Sequence, residues 1–252
     1  MDFGIAGKRA VVIGGSSGLG YAVCEALAWE GVNLIVFSRN AQNLQRCRRQ
    51  LQDKFGTTVH VCSGEIADET DIDRVAELAS RLGDTEIIVL NTPRPPSPMR
   101  DFLHEVEQSR WDAAYLQQLH GALLVLRKLA PIVKRTGWGR IVAITSASVK
   151  QPMPRHALST IFRAGVHAAL KHLAMELAGF GVTVNAVAPA TILTPTFSTY
   201  HNLEERVRAV PLKRAGKPEE LAATVAFLSS VQAGYISGQV IQVDGGATLS
   251  LC

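Results

Sequence analysis

Cysteine is scarce in this chain: four residues in 252, at Cys24, Cys47, Cys62 and Cys252, with no close pair and no metal-ligand spacing. That excludes a disulfide-stapled scaffold, and no metal site is expected. No apolar run reaches the roughly 18 residues a membrane span needs, and no secretory leader is evident. A reduced, cytoplasmic setting without membrane contact is the expectation. A long run of one charge is also missing. Lys and Arg total 26 against 22 Asp and Glu, scattered to a net +4. Nucleic acid is therefore not an expected partner, and a weak preference for small anionic ligands is. With 47% apolar and 19% charged residues the chain is globular, and its length suffices for one sizeable core.

Glycine is present where it matters. Gly14–Gly20 reads Gly-Gly-Ser-Ser-Gly-Leu-Gly, following the apolar Ala10–Ile13 and opening a helical pattern with Val23 and Leu27 four apart. A strand, a glycine turn and a helix N-terminus make an anion site. The backbone comes close to a pyrophosphate, whose charge meets unpaired N–H groups and the positive end of the helix dipole. Taken alone, the stretch also reads as an ordinary strand-to-helix turn.

Along the chain, strands are expected at Lys8–Ile13, Val32–Phe37, Thr57–Cys62, Glu86–Asn91, Arg140–Thr145, Val182–Val187 and Gln239–Val243. Helices are expected at Gly18–Glu30, Ala41–Lys54, around Ile72–Leu82, from Ser109 to Lys134 (closed by Gly137 and Gly139), at Ala157–Gly179 and at Pro218–Ser229. Strands that alternate with helices argue a parallel sheet covered on both faces. No linker or internal repeat interrupts residues 1–252, which read as one domain. Thr92–Pro98 (Thr-Pro-Arg-Pro-Pro-Ser-Pro) cannot be helix interior and sits past a strand's carboxyl end, where such sheets bind ligands. Residues 190–211 read as a polar surface lid that orders over the ligand.

In these features the chain resembles the short-chain dehydrogenase/reductase family over nearly its whole length. The matching motifs are Gly14-x-x-x-Gly18-x-Gly20, Asn91, Ile144-Thr145-Ser146, Asn185-Ala186-Val187-Ala188-Pro189 with Thr194, and Gly238 to Asp244-Gly245-Gly246. The resemblance implies an α/β, single-domain, Rossmann-type doubly wound parallel sheet of about seven strands, and a homo-oligomer, tetramer or dimer. It also implies a nicotinamide dinucleotide held by Gly14, Ser16, Ser17, Gly18, Leu19, Gly20, Ser38, Arg39, Glu65, Ile66, Asn91, Arg163, Pro189, Thr191, Ile192 and Thr194. Ser38-Arg39 ends the second strand, where an acidic residue would bind ribose hydroxyls. A guanidinium there suits a 2′-phosphate, or stacks on adenine. NADPH is the expected cofactor, with NADH the alternative.

The family's usual Asn, Ser, Tyr and Lys fall on Gln118, Ser146, Ser159 and Arg163. Only Ser146 is kept, although Ser159 and Arg163 still share one helix face. An aliphatic hydroxyl is a far weaker acid than a phenol, and Arg163 stays protonated. Carbonyl reduction by the usual proton relay is thus disfavoured. Hydride addition to a conjugated double bond needs donors for an enolate instead, and water can protonate it later. Similar departures occur in the conjugate reductases of bacilysin- and aeruginosin-type secondary metabolite biosynthesis. The expected substrate is a small, cyclic, carboxylate-bearing enone, with Arg94, Arg155, His156 and Tyr200 as candidate contacts. Two alternatives stay open. One is a ketone or 3-oxoacyl reductase using another donor, such as His156 or a water held by Ser146. The other is a nucleotide-binding module without turnover.

Overall fold

The computed structural model describes residues 2–195, 197 and 202–251. Its strands are β1 (Arg9–Ile13), β2 (Asn33–Ser38), β3 (Val59–Ser63), β4 (Ile87–Asn91), β5 (Gly139–Ile144), β6 (Val182–Pro189) and β7 (Val240–Val243). Its helices are α1 (Gly18–Trp29), α2 (Ala41–Phe55), α3 (Glu69–Arg81), α4 (Gln108–Ala114), α5 (Gly121–Lys134), α6 (Ala157–Leu177), α7 (Leu203–Ala209) and α8 (Pro218–Leu228). The strands form one sheet in the order β3-β2-β1-β4-β5-β6-β7, with every neighbouring pair parallel.

The strands are short apolar runs because both faces of the sheet are covered. On one face, Ala22, Val23 and Leu27 of α1 pack with Leu221 and Val225 of α8 against Val12, Val36 and Val89. On the other, Ile72 and Val75 of α3, Leu126 of α5 and Val166 and Leu170 of α6 cover Val11, Ile88 and Ile141. Asn40 and Asp68 cap α2 and α3 through side-chain oxygens, and Gly56 ends α2 in the left-handed region at φ +68°. Among the described residues no helix is long and apolar enough to cross a membrane.

Strand and helix ends differ from the sequence expectations by a residue or two, with three larger differences. The helix expected from Ser109 to Lys134 is interrupted by a wide, π-type turn at Tyr115–His120. Apolar periodicity does not register one extra residue per turn. Gly139, read as a helix closure, begins β5, where a Cβ would lie 2.2 Å from Val133 Cγ1. And α7 forms inside the stretch expected to be loop, capped by Asn202 Oδ1, which accepts from the Glu205 N–H at 3.1 Å.

Candidate functional site

Strand order reverses between β1 and β4, so their carboxyl ends diverge above the sheet and a cleft of about 790 Å³ opens there. Gly14 leaves β1 at φ +71°, and a Cβ on it would stand 2.6 Å from the Asn91 carbonyl oxygen. Asn91 Nδ2 donates back to the Gly14 carbonyl at 3.4 Å. Gly20 is tighter still, since its Cβ would fall 2.1 Å from that same Gly14 oxygen. Gly18, at φ +54°, is the opposite case: the nearest atom to its Cβ position is Thr194 Cγ2 at 3.9 Å. The loop is therefore compact behind and open in front. Ser17 precedes α1 without a side-chain bond to it, so the helix's first N–H groups are left for a ligand. Ser17, Gly18 and Leu19 all line the cleft.

At the far end, buried Ser16 donates its hydroxyl to Ser38 Oγ at 2.8 Å, and Ser38 and exposed Arg39 line the wall. Ile66 is buried and lines the cleft. Glu65 is exposed, with its N–H donating to Asp71 Oδ2 at 2.7 Å. Thr191 and Thr194 are buried, Ile192 pairs with Gly216, and Pro189 lines the wall where β6 ends.

The centre of the cleft is built on β5 and α6. Ser146 Oγ accepts from the Ser148 N–H at 3.2 Å and shares a hydrogen with Ser148 Oγ at 2.9 Å. Ser159 and Arg163 stand one turn apart on α6. Arg163 Nη1 donates to Ser159 Oγ at 2.8 Å and to Gln118 Oε1, while Nη2 donates to the Pro93 carbonyl at 3.3 Å. Gln118 comes from the wide turn, and all three side chains are buried. Arg163 Nε and Gln118 Nε2 are buried without an acceptor among the described residues. Burial, then the charge of Arg94, draws the Arg163 guanidinium down to about 10, which leaves it cationic at neutral pH. One turn further along, His167 Nε2 meets Thr145 Oγ1 at 2.8 Å, and that hydroxyl reaches the Val187 carbonyl at 3.3 Å. Burial pulls His167 down to about 4, so its neutral ring donates and Thr145 passes the bond on.

The remaining wall carries the candidate substrate contacts. Arg94 Nη2 reaches Thr194 Oγ1 at 3.4 Å. Its proline-rich loop is fixed by buried Arg110, which grips Glu105 with Nε at 2.6 Å and Nη2 at 2.9 Å and donates to the Pro98 carbonyl at 2.6 Å. The bonds from Arg110 hold the Glu105 carboxyl below its usual range. Sequence reasoning missed this pair, which no motif marks.

Arg155 lines the cleft but is exposed and turns to Glu205, 3.0 Å away. His156 is buried; its Nδ1–H donates to the Pro154 carbonyl at 2.7 Å, and Nε2 accepts from Arg206 at 3.3 Å. Burial first, and then neighbouring arginines, lower its pKa. A neutral ring so arranged has no proton to offer at Nε2, which corrects the expectation of His156 as a substitute acid. Arg206 itself was missed, although it belongs to the charged pattern of the expected lid. In the stretch expected as a lid, Thr191, Ile192, Thr194, Phe197 and Val210 are buried, while Glu204, Glu205, Arg208 and Ala209 are exposed. Tyr200 lies outside the described residues.

Among the described residues, five arginines (Arg39, Arg94, Arg155, Arg163, Arg206) and one acid (Glu205) line the cleft, and no tyrosine or lysine does. The open glycine loop, the free helix N-terminus and this charge fit an extended, polyanionic dinucleotide.

Comparison with known proteins agrees with that geometry. Residues 13–248 match the family model described as enoyl-(acyl carrier protein) reductase. Nodulation protein G of Azospirillum brasilense is 33% identical over 245 residues, covering 95% of this chain and 97% of its own. L-sorbose reductase from Gluconobacter frateurii, solved with NADPH and L-sorbose, superposes at a TM-score of 0.92 with 30% identity over the whole of both chains. YwfH, an NADPH-dependent reductase involved in bacilysin biosynthesis, superposes at 0.90 with 27% identity, covering 97% of this chain and 99% of its own.

Proposed function

The chain belongs to the short-chain dehydrogenase/reductase family of oxidoreductases, and we propose that it is an NADPH-dependent reductase of a small, cyclic, carboxylate-bearing enone. In this reading Ser159 and Arg163 stand where relatives carry their Tyr and Lys, and Gln118 where they carry Asn. The observation that carries it is the buried Ser159–Arg163–Gln118 cluster in a cleft whose described lining has no phenol.

Gly14–Gly20 and the N-terminus of α1 would hold the dinucleotide's phosphates, and Ser38 and Arg39 its 2′-phosphate. Asn91, Ile66, Pro189, Ile192 and Thr194 would line the rest of its path, with Arg163 toward its nicotinamide ribose. Bound there, it supplies hydride to the β-carbon of the enone. Arg163 and Ser146 then face the negative charge that develops on the conjugated oxygen. A fixed cation in a water-poor site stabilises such charge without having to reorganise. Ser159 accepts a bond from Arg163 and serves to orient it. The α-carbon takes its proton from water, so no strong acid is required.

The enoyl reductase description of the family model supports reduction of a carbon–carbon double bond, and the likeness to a bacilysin-biosynthesis reductase supports NADPH as the reductant. A second reading is favoured by the likeness to L-sorbose reductase: ketone reduction with a water held by Ser146 as the acid. Incubation with NADPH, cyclic enone acids and the matching saturated keto acids, with products identified by NMR, separates the two. Saturated keto acid formed from the enone supports conjugate reduction. Hydroxy acid formed from either substrate supports the second reading.

A further inference from the structure

We propose that Gln117, in the wide turn ahead of α5, reads the adenine base of the dinucleotide through its side-chain amide. This rests on the course of the dinucleotide along the cleft given above, and it adds a residue that neither the motifs nor the comparisons single out.

Phosphates at the N-terminus of α1 and a 2′-phosphate by Arg39 would leave the base on the β3 side of the cleft. The segment after β3 is tied to the end of β2, because the Gly64 N–H donates to the Ser38 carbonyl at 3.2 Å. Ile66 follows, buried, and lines the cleft there. It packs closely on Gly121 at the start of α5, where a Cβ would stand 2.9 Å from Ile66 Cγ2. Gln117 precedes Gly121 by about one helical turn and lines the same cleft.

Among the described residues the Gln117 amide makes no hydrogen bond, and its Oε1 is buried without a donor. Neighbouring polar groups are already engaged, Ser38 by Ser16 and Asn91 by the Gly14 carbonyl. A buried carbonyl oxygen with no donor is costly, and native sites keep few of them unanswered. Adenine offers what this amide lacks. Its amino group donates and the adjacent ring nitrogen accepts, so one glutamine amide can bond both at once. A half-turn about the last side-chain torsion brings Oε1 forward and moves nothing else. Ile66 gives the flat ring a dry surface, which strengthens hydrogen bonds made at its edge.

The test compares NADP⁺ with its ethenoadenine analogue, in which a two-carbon bridge ties the amino group to the ring nitrogen and leaves no N–H to donate. Dissociation constants are measured by calorimetry. Wild type should bind NADP⁺ about five- to tenfold more tightly than the analogue. Gln117→Met keeps the length of the side chain without its amide. It should weaken NADP⁺ by about that factor and leave the analogue within about twofold. Because an unpaired buried carbonyl is removed, the ligand-free variant should melt no lower than wild type. Equal binding of the two nucleotides by wild type would overturn the proposal. So would a preference kept in Gln117→Met, which would trace it to the bulk of the bridge. Equal losses for both nucleotides with a lowered melting temperature would overturn it too, marking Gln117 as structural. None of these readings needs turnover or a substrate. A protein that selects adenine through Gln117 yet reduces no enone would sink the conjugate-reduction reading and leave this assignment standing. A wild type that binds neither nucleotide would sink the cofactor assignment and this proposal with it.

Discussion

The two halves of the cleft are made in different ways. On the β1 side the fold dictates the surface through the absence of side chains. Gly14 and Gly20 would drive a Cβ into backbone oxygen, and Gly18 leaves open space over a helix N-terminus. On the β5–α6 side the surface is made of side chains at positions the fold tolerates. α6 packs on the sheet through Val166, Leu170, Ala174 and Leu177, while Ser159 and Arg163, also buried, bond to each other and Arg163 to Gln118 and Pro93. The first half is therefore set by backbone geometry that suits a dinucleotide. The chemistry of the second depends on which side chains stand at its positions.

The largest expected effect tests the first half. Gly18→Val places a branched side chain at φ +54°, in the space a pyrophosphate needs, so NADPH binding should fall below detection. The positive φ strains the loop by about 1–3 kcal/mol, so a cooperative melt should persist at a lower midpoint. Fluorescence titration with NADPH checks it; near-wild-type affinity in a folded variant would break the account of that half.

The second half should answer to charge more than to hydroxyl acidity. Arg163→Ala should lower the single-turnover rate of NADPH oxidation with an enone acid by about 10²–10³-fold, the size of a lost oxyanion donor. Ser146→Ala should cost less, and Ser159→Ala should keep most of the rate, because Ser159 orients Arg163 and gives up no proton. The reverse order, with Ser159→Ala losing several orders of magnitude in the chemical step, would point to carbonyl reduction by an activated serine.

How much was legible in the sequence follows the same division. The strands, the glycine turn and the end of β2 were readable because local pattern determines them: apolar runs, a strand-to-helix glycine spacing, a polar residue at a strand end. The positions of Ser146, Ser159 and Arg163 were readable by counting along motifs, and the bond between Ser159 and Arg163 follows from one helical turn. What was not readable leaves no local pattern. The wide turn that delivers Gln118 and the Glu105–Arg110 clasp are local but carry no motif, and the Arg206–His156 contact joins residues 50 apart. Within the stretch read as a lid, polar composition hides Phe197 and Val210, which are buried.

A smaller effect measures how dry the second half is. His167 lies on the same face of α6 as Ser159 and Arg163, and burial holds its folded pKa near 4, against an ordinary histidine value of 6.5. As pH falls below 6.5, the unfolded chain binds this proton first, so stability drops until the folded imidazole also titrates near 4. The loss from this one group reaches at most roughly 3 kcal/mol. Urea unfolding of wild type and His167→Gln between pH 7.5 and 4 should show the wild type losing more, by up to that amount. Parallel pH curves would mean that His167 is solvated.

The smallest effect belongs to the wet end of the first half. Arg39 is exposed beside Ser38, and Ser38's hydroxyl is already engaged by Ser16 at 2.8 Å. On the proposed reading, Arg39 supplies the charge that distinguishes one dinucleotide from the other. Arg39→Ala should weaken NADPH by about 1–3 kcal/mol, the range for a hydrogen bond to a charged group. NADH, which has no 2′-phosphate, should lose much less. Because the site is open to solvent, raising salt from 50 to 500 mM should shrink the wild-type preference toward that of the variant. Equal losses for both cofactors would mean that Arg39 stacks on adenine. The first half would then bind dinucleotides through backbone and shape alone, with the choice between them made elsewhere in the cleft.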